Sequence, residues 1–560
     1  MKTVRRLQQI ATLPLALLMA GAQAQTVAQP DAGALRQQLE QSRLPALPPA
    51  QRPAPAAVKP AAASNADTTI SVKAFRFTGN TLLSSAQLAQ VVASYLARPL
   101  TFDDLQAAAD SVAAAYRGAD RLAQVTLPAQ DITEGVVTLA VVEARYGGMK
   151  FESELPRRVK PAIIEGLFNA QQAKGQPLDA GALDRALLLA DDLAGVGVSA
   201  TLTAGAQQGE TALLLKTTDE RAFQGEVSLD NTGARATGSE RLALALQLNS
   251  PTGNGEAVNL QLLHSRGSDY GRAVLSVPVG SNGLRLGTSV SYLSYEVIDG
   301  PASNSVAQIK GNSGSFGFDA MYPLVRERTR NLYLTAALEN KTFRNSDTQV
   351  RSDYETSSLR LALSGSRFDS LGGSGANSGS VQLLWGRLVD MQAHTQLNTI
   401  GRNYEKVSYA LSRRQSLGAD QSLLFSFSGQ HATQPLDSSE KLYIGGAQSV
   451  RAYPVSELGG DRGQSFTAEW RWALAPSWAL TAFADVARVV SLPAAPGDQS
   501  TSQSLRGYGL SLGWQGPQSL SIRLTWAHRM GDNPQPTITG TDGDGTLRRN
   551  RFWLSATLPF

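Results

Sequence analysis

From about residue 225 to the carboxy terminus, apolar side chains return at every second position. Leu242, Leu244, Leu246 and Leu248 alternate with Arg241, Ala243, Ala245, Gln247 and Asn249. The same period runs through Val258-Leu260-Leu262, Leu284-Leu286-Thr288-Val290-Tyr292 and Leu520-Ile522-Leu524-Trp526. Successive side chains of a strand point to opposite faces, so each tract predicts a strand with one apolar and one polar face. In the closing stretch Phe552, Leu554, Ala556, Leu558 and Phe560 share one parity, and Ser555 and Thr557 the other. A strand of about ten residues is what a tilted bilayer crossing needs. Tracts such as Ser250-Pro251-Thr252-Gly253-Asn254-Gly255 read as turns. Residues 220–560 are long enough for about sixteen such strands with loops, which predicts a transmembrane β-barrel.

Upstream the period changes. Ile70 to Phe77 alternates as a strand and meets a turn at Gly79-Asn80. Helical spacing follows over Ser85–Leu96 and Phe102–Tyr116, then strand patterns over Arg121–Leu127 and Gly135–Glu143. From Met149 the order begins again: a strand near Phe151, helices over Pro156–Asn169 and Ala180–Ala194, strands over Ser199–Ala204 and Thr211–Thr217. Pro99-Leu100 with Leu105 returns as Pro177-Leu178 with Leu183, a period of 78 residues. The order β-α-α-β-β, met twice, predicts α+β modules at 67–145 and 146–219. Each has helices on one sheet face and an open strand edge that an extended client could join.

Nearer the start, Lys2, Arg5 and Arg6 precede an apolar run from Ile10 to Ala20 and then Ala22-Gln23-Ala24. That is a secretory leader, 1–24, too short to span a membrane as a helix. Within 25–43, Asp31 reads as the N-cap of a helix on which Leu35 and Leu39 share a face. One narrow apolar stripe cannot hold so short a helix alone, so it must dock elsewhere. Pro45, Pro48, Pro49, Pro53, Pro55 and Pro60 make 44–66 a semi-extended tether, long enough to carry the helix to a distant site as a plug.

Composition mainly excludes. Without cysteine there are no disulfides or thiolate metal sites, and His264, His394, His431 and His528 stand singly. No catalytic set, metal or cofactor is expected. A net charge of +4 on 560 residues carries no nucleic-acid signature.

Several stretches resemble one known group. Phe77-Thr78-Gly79-Asn80-Thr81 resembles the opening of a POTRA domain. Tyr116-Arg117-Gly118, Leu127-Pro128-Ala129-Gln130-Asp131-Ile132 and Gly135-Val136-Val137 resemble the rest of the first POTRA of two-partner secretion transporters, the haemolysin/haemagglutinin secretion-activation type. Asp230-Asn231-Thr232-Gly233, Thr237-Gly238 and Arg241 resemble that family's first barrel hairpin. Gly445 to Pro454 resembles the Val-Arg-Gly-Tyr tip of a loop that folds into the lumen, here near 440–464, with Val450, Arg451, Ala452 and Tyr453 at the tip. Ala452 stands where the family usually has glycine, which would strain a tip that needs positive φ. Phe483-Ala484-Asp485 resembles the family's barrel-wall aspartate motif. By alternation Phe466, Ala468, Trp470, Trp472 and Leu474 face lipid, which turns Glu469 and Arg471 inward. Leu480, Ala482, Ala484 and Val486 likewise turn Asp485 inward, where Arg451 is its natural partner.

The resemblance implies sixteen antiparallel strands preceded by two POTRA domains and a plug helix, in a Gram-negative outer membrane with the POTRA domains in the periplasm. It implies export of a large, mostly unfolded partner of adhesin or cytolysin type, with no enzymatic activity. Cargo contacts are expected at Tyr116, Arg117, Leu127, Pro128, Gln130 and Val137. The aromatic ending, with Phe552, Leu558 and Phe560, resembles the final strand that barrel-assembly machinery reads. The rival reading is an assembly or insertion factor of the same superfamily. A passive porin does not need the two modules, and a lipid hydrolase needs a serine–histidine set that is not seen.

Overall fold

The computed structural model describes residues 30–41, 69–132, 134–152, 154–300, 308–347, 351–391, 403–493 and 497–560. The leader expected at 1–24 and the tether expected at 44–66 lie outside the described residues.

Sixteen antiparallel strands close into one barrel, and the last, Asn550–Pro559, pairs with the first, Phe223–Asp230. The period-two reading fixes the wall. Leu242, Leu286, Val290, Tyr292, Leu524, Phe552, Leu554 and Phe560 are exposed on the outside. Outward tryptophans pair at one rim, Trp470 with Trp472 at 5.8 Å and Trp478 with Trp514 at 6.3 Å between ring centroids. Such rings settle where lipid meets water. Strands in the middle of the chain are longer than expected. Lys310–Arg326 and Arg330–Ser346 run 17 residues and Arg351–Asp369 runs 19. Their polar far ends, Lys310, Ser346 and Arg351, extend the wall past the span that a bilayer needs.

The two modules share one plan. In the first, Val136–Glu143 lies between Ala74–Thr78, parallel to it, and Ala123–Thr126, antiparallel. Helices Ser85–Val91 and Phe102–Gly118 bring Leu88, Leu105, Ala108, Val112 and Tyr116 onto Val137, Leu139 and Val141. In the second, Glu210–Asp219 lies between Arg145–Phe151 and Val196–Ala204. Helices Pro161–Gln171 and Ala180–Asp191 cover it with Ile164, Phe168, Leu183 and Leu189. Thr101 and Asp179, equivalent in the repeat, each cap a helix by accepting from a backbone N–H three residues on.

Helix boundaries differ from expectation in two places. The stretch expected as Ser85–Leu96 ends at Val91 and continues only as a 3-10 turn, Ala93–Tyr95, after which the chain leaves helical geometry at Ala97, with a φ of 62°. The helix expected from Pro156 starts at Pro161, where proline suits the first turn. Arg157 and Arg158 instead donate their backbone N–H groups to Asp219.

The second module is clamped to the barrel. Arg326 donates from Nε and Nη2 to the two oxygens of Asp192 at 2.8 and 2.7 Å, and Arg328 Nε donates to Asp184 at 2.6 Å. Lys160 and Gln171 reach Asn254 and Asn282 in neighbouring turns. Three successive turns, around 250–256, 280–283 and 327–329, thus carry the module.

Candidate functional site: the lumen loop, its wall and the lumen helix

Two short paired strands, Leu442–Ile444 and Leu458–Gly460, form the stem of a loop inside the barrel. Gly445 and Gly446 turn the chain with φ of 102° and 92°, and Tyr453 N donates to Val450 O to close the tip. Val450, Ala452 and Tyr453 are buried with Phe483, Ala487, Leu505 and Ala527 of the wall. Ala452 has no positive φ, so the expected strain is absent.

Arg451 is held on every side. Its Nε and Nη2 donate to the two oxygens of Asp485 at 2.9 and 2.7 Å, and its backbone N–H donates to Asp485 at 3.1 Å. Nη1 donates to Glu469 at 2.9 Å, and Glu469 also takes a forked pair from Arg471. Thr467 Oγ1 donates to Asp485 at 3.0 Å. The Arg451 guanidinium carbon lies 3.4 Å from the Phe483 ring centre, a cation–π contact. The planar fork meets a carboxylate edge-on, the strong geometry for this pair.

Two partners of the tip escaped the sequence reading. Trp553 Nε1 donates to Arg451 O at 2.8 Å, which ties the tip to the last strand. Trp553 was detectable as an indole on the otherwise polar parity of that strand. Arg529 stacks 4.5 Å over Tyr453 and pairs with Asp542, in the loop before the last strand. Glu457, beyond the tip, accepts from Gly543 N and Asn533 Nδ2 of that loop. Burial pushes its carboxyl up to about 7.

Helix Ala32–Gln41 lies inside the barrel against lumen-facing groups. Arg36 is fully buried and donates to Ser291 at 2.6 Å, to Ser313 at 3.0 Å and to Ser315. Asp31 caps the helix by accepting from Ala34 N at 2.7 Å, and also accepts from Ser438 at 2.8 Å. Glu40 pairs with Arg36 at 2.8 Å and Lys341 at 3.1 Å. Lys341 reaches Glu440 at 3.4 Å, and Glu440 reaches Lys406 at 2.7 Å. One chain of charges therefore joins the helix, the wall and the loop base. Burial lifts the Asp31 carboxyl from 3.8 to about 6, with Asp437 repelling it further. Burial also opposes charge on Glu440, but Lys341 and Lys406 outweigh it and hold that carboxyl below its ordinary value.

The first-module residues divide. Arg117 and Pro128 are exposed and Leu127 is half-buried. Tyr116 and Val137 are fully buried, a correction to their expected cargo contact. Tyr116 donates to Glu143 at 2.8 Å, and Glu143 accepts from the backbone N–H groups of Thr81 and Leu82, so the pair fastens the Gly79 turn. The Gln130 amide is spent on Thr138: it accepts from its N–H at 2.6 Å and donates to its carbonyl at 2.8 Å, continuing the ladder beyond Thr126. At the carboxy terminus Phe560 exchanges backbone bonds with Gly225, at 2.8 and 3.1 Å, while the side chains of Phe552, Leu558 and Phe560 face outward.

Among the described residues there is no group of His, Asp or Glu placed to hold a metal. A closed barrel with an inward loop and helix, entered through two small α+β modules, defines a translocation channel. Residues 209–516, more than half of the chain, match the family described as haemolysin secretion/activation protein ShlB/FhaC/HecB, and residues 70–144 match the ShlB-type POTRA domain. The chain belongs to that family, and is an outer-membrane two-partner secretion transporter with its POTRA region in the periplasm. It is 26% identical to the heme/hemopexin transporter protein HuxB of Haemophilus influenzae, over 94% of each chain. The structure of CdiB from Escherichia coli covers 91% of this chain and 94% of its own at a TM-score of 0.68 and 19% identity. BamA from Haemophilus ducreyi, lacking POTRA domains 1–3, superposes with a TM-score of 0.53 at 12% identity, over 88% of this chain and all of its own.

Proposed function

We propose that this transporter takes an unfolded partner exoprotein, of adhesin or cytolysin type, on the free edge of its first module and passes it through the barrel to the cell surface. It does so without enzymatic activity or cofactor. In this reading 67–145 and 146–219 are POTRA domains. The captured chain adds as a strand along Ala123–Thr126, with Arg117, Leu127 and Pro128 beside it, while Tyr116, Gln130 and Val137 keep the edge in shape. Helix Ala32–Gln41 plugs the lumen at rest and leaves during transport. Arg451, Asp485 and Glu469 hold the loop so that it lines the passage without sealing it. Lipid surrounds the outward parity, and the final strand with Phe552, Leu558 and Phe560 is the signal for barrel-assembly machinery.

The observation that carries this reading is the helix in the lumen. A barrel that only inserts other membrane proteins needs no stopper on a tether, so secretion is favoured over the assembly reading. The BamA likeness speaks to fold alone. Removal of 67–145 should abolish export of the partner while the barrel still inserts and migrates heat-modifiably. Normal export by that variant would make the module a spacer.

A further inference from the structure

The strand Thr501–Gln515 places two glycines, Gly507 and Gly509, on the lumen side, alternating with the outward side chains of Tyr508 and Leu510. Gly507 lies opposite Asp485 on one neighbour and Arg529 on the other. Gly509 lies opposite Phe483 and Ala527. The groups that hold the loop tip therefore flank a strip of bare backbone, and the tip rests on it. A Cβ built at Gly507 falls 2.5 Å from the Ala452 Cβ, and one at Gly509 falls 2.5 Å from the Phe483 ring. Contacts that short do not occur between carbon atoms, so Gly507 admits no side chain while the tip is seated, and Gly509, whose Cβ would also fall 2.0 Å from the Trp526 carbonyl oxygen, admits none against the wall itself. Ala452 is itself 1% exposed and in an ordinary backbone conformation, so its methyl has nowhere to retreat.

We propose that Gly507 is a positioning residue for the loop tip, and that Ala452 and Gly507 form a size-matched pair in which one methyl fits and two do not. This rests on the tip reading given above. The backbone at Gly507 stands in for the space that a glycine at the tip would otherwise leave. The methyl of Ala452 fills that space, and Arg451 next to it is thereby set at the depth where its fork meets Asp485. Gly509 does the same for Phe483, over which the guanidinium stacks. The nearest wall atom to a Cβ at 507, other than Ala452, is His528 O at 3.1 Å, a tight contact that a shift of a few tenths of an ångström relieves. The clash with the tip is therefore the larger effect.

The test uses the full-length transporter in outer membranes. The chain has no cysteine, so Val450→Cys, at a tip position 0% exposed, gives one thiol that reports seating. In that background the thiol should resist a membrane-impermeant maleimide. Adding Gly507→Ala should expose it, with at least a tenfold rise in labelling rate, and secretion should fall. Adding Ala452→Gly as well should restore protection and return secretion to the level of Val450→Cys/Ala452→Gly. Gly507→Ala that stays protected and secretes, or a triple variant that stays labelled, overturns the pairing. If Gly507→Ala does not insert, Ala452→Val enlarges the pair from the loop side without touching the barrel ladder. It should be labelled while migrating heat-modifiably, and its full protection overturns the proposal. A variant that is labelled yet secretes normally upholds the pair and refutes only the role assigned to the tip.

Discussion

Arg451 decides the sign of its own mutations through what it leaves behind. The lumen is wet in principle, but Asp485 is 4% exposed and the Arg451 side chain 13% exposed. Breaking a buried pair from one side costs about 3–5 kcal/mol, well above the value of a solvated pair. Arg451→Ala leaves the Asp485 charge with only two neutral donors, Thr467 Oγ1 and the backbone N–H of residue 451, whereas Asp485→Ala leaves Arg451 with the carboxylate of Glu469, so the arginine change should be the more severe. Both should cut secretion strongly with insertion and heat-modifiable migration near normal. The double variant should be about as defective as Arg451→Ala alone, because the pair acts as a unit. Arg451→Lys should recover little, since an ammonium cannot fill two carboxylate oxygens and Glu469 together. Additive defects in the secretion assay would show that the two residues do not pair. The arginine and aspartate were legible because alternation fixes inward and outward, and because their motifs resemble a known loop and wall. Trp553 shows in the sequence as an inward indole but not what it meets, and Gly507 and Arg529 carry no signature, because the shear of the barrel sets which wall residues lie under the tip. Motif resemblance also failed to separate Tyr116 and Val137, which build the module, from Arg117 and Pro128, which face water.

The lumen helix shows how an element too weak to fold alone is held by its surroundings. Its stripe of Leu35 and Leu39 announced that it had to dock, but its seat involves Ser291, Ser313, Lys341 and Glu440, far away in the chain and without any local signature. Gly33 allows the closest approach. A Cβ there would fall 2.5 Å from Ser438 Oγ and 2.9 Å from Tyr354 Oη, so Gly33→Val should undock the helix and raise single-channel conductance. Loss of residues 25–64 should raise it to the same level and leave secretion largely intact. Docking should also respond to pH. The Asp31 carboxyl moves from 3.8 to about 6 in the seat, so docking takes up a proton. The added stability is present below about 4 and is lost as pH rises through about 6, a difference of order 3 kcal/mol. Asp437, buried beside it and also raised, acts in the same direction, while Tyr354 donates to Asp437. Conductance should therefore fall between pH 7 and pH 5. Asp31→Asn keeps a good cap and should flatten most of that response. An unchanged pH curve in the asparagine variant would place the titration elsewhere.

The whole molecule was the most legible part, since barrel, modules and their order all follow from periodicity and one internal repeat. What periodicity could not give was how the modules sit, because the clamp is made of single side chains. Asp192→Ala takes the paired carboxylate from Arg326, whose side chain is 2% exposed, and leaves it only the weaker attraction of Asp191, a cost of about 3–5 kcal/mol. Asp184→Ala opens a pair that is about a third exposed, where about 0–1 kcal/mol is at stake. The first should make the junction at 219–222 open to protease and depress secretion, and the second should do neither. Equal sensitivity of the two variants would mean that the apolar contacts alone hold the module. That clamp sits on three consecutive turns, while those at 370–374, 417–420, 476–477 and 516–520 lie elsewhere on the rim. The mouth is therefore one-sided, and its open arc is fixed relative to the membrane-embedded wall. A client need not search around the circumference, since its bearing is set before its first residue reaches the lumen. On the proposed route, successive segments of the client then follow one another along a single line, like traffic in one lane.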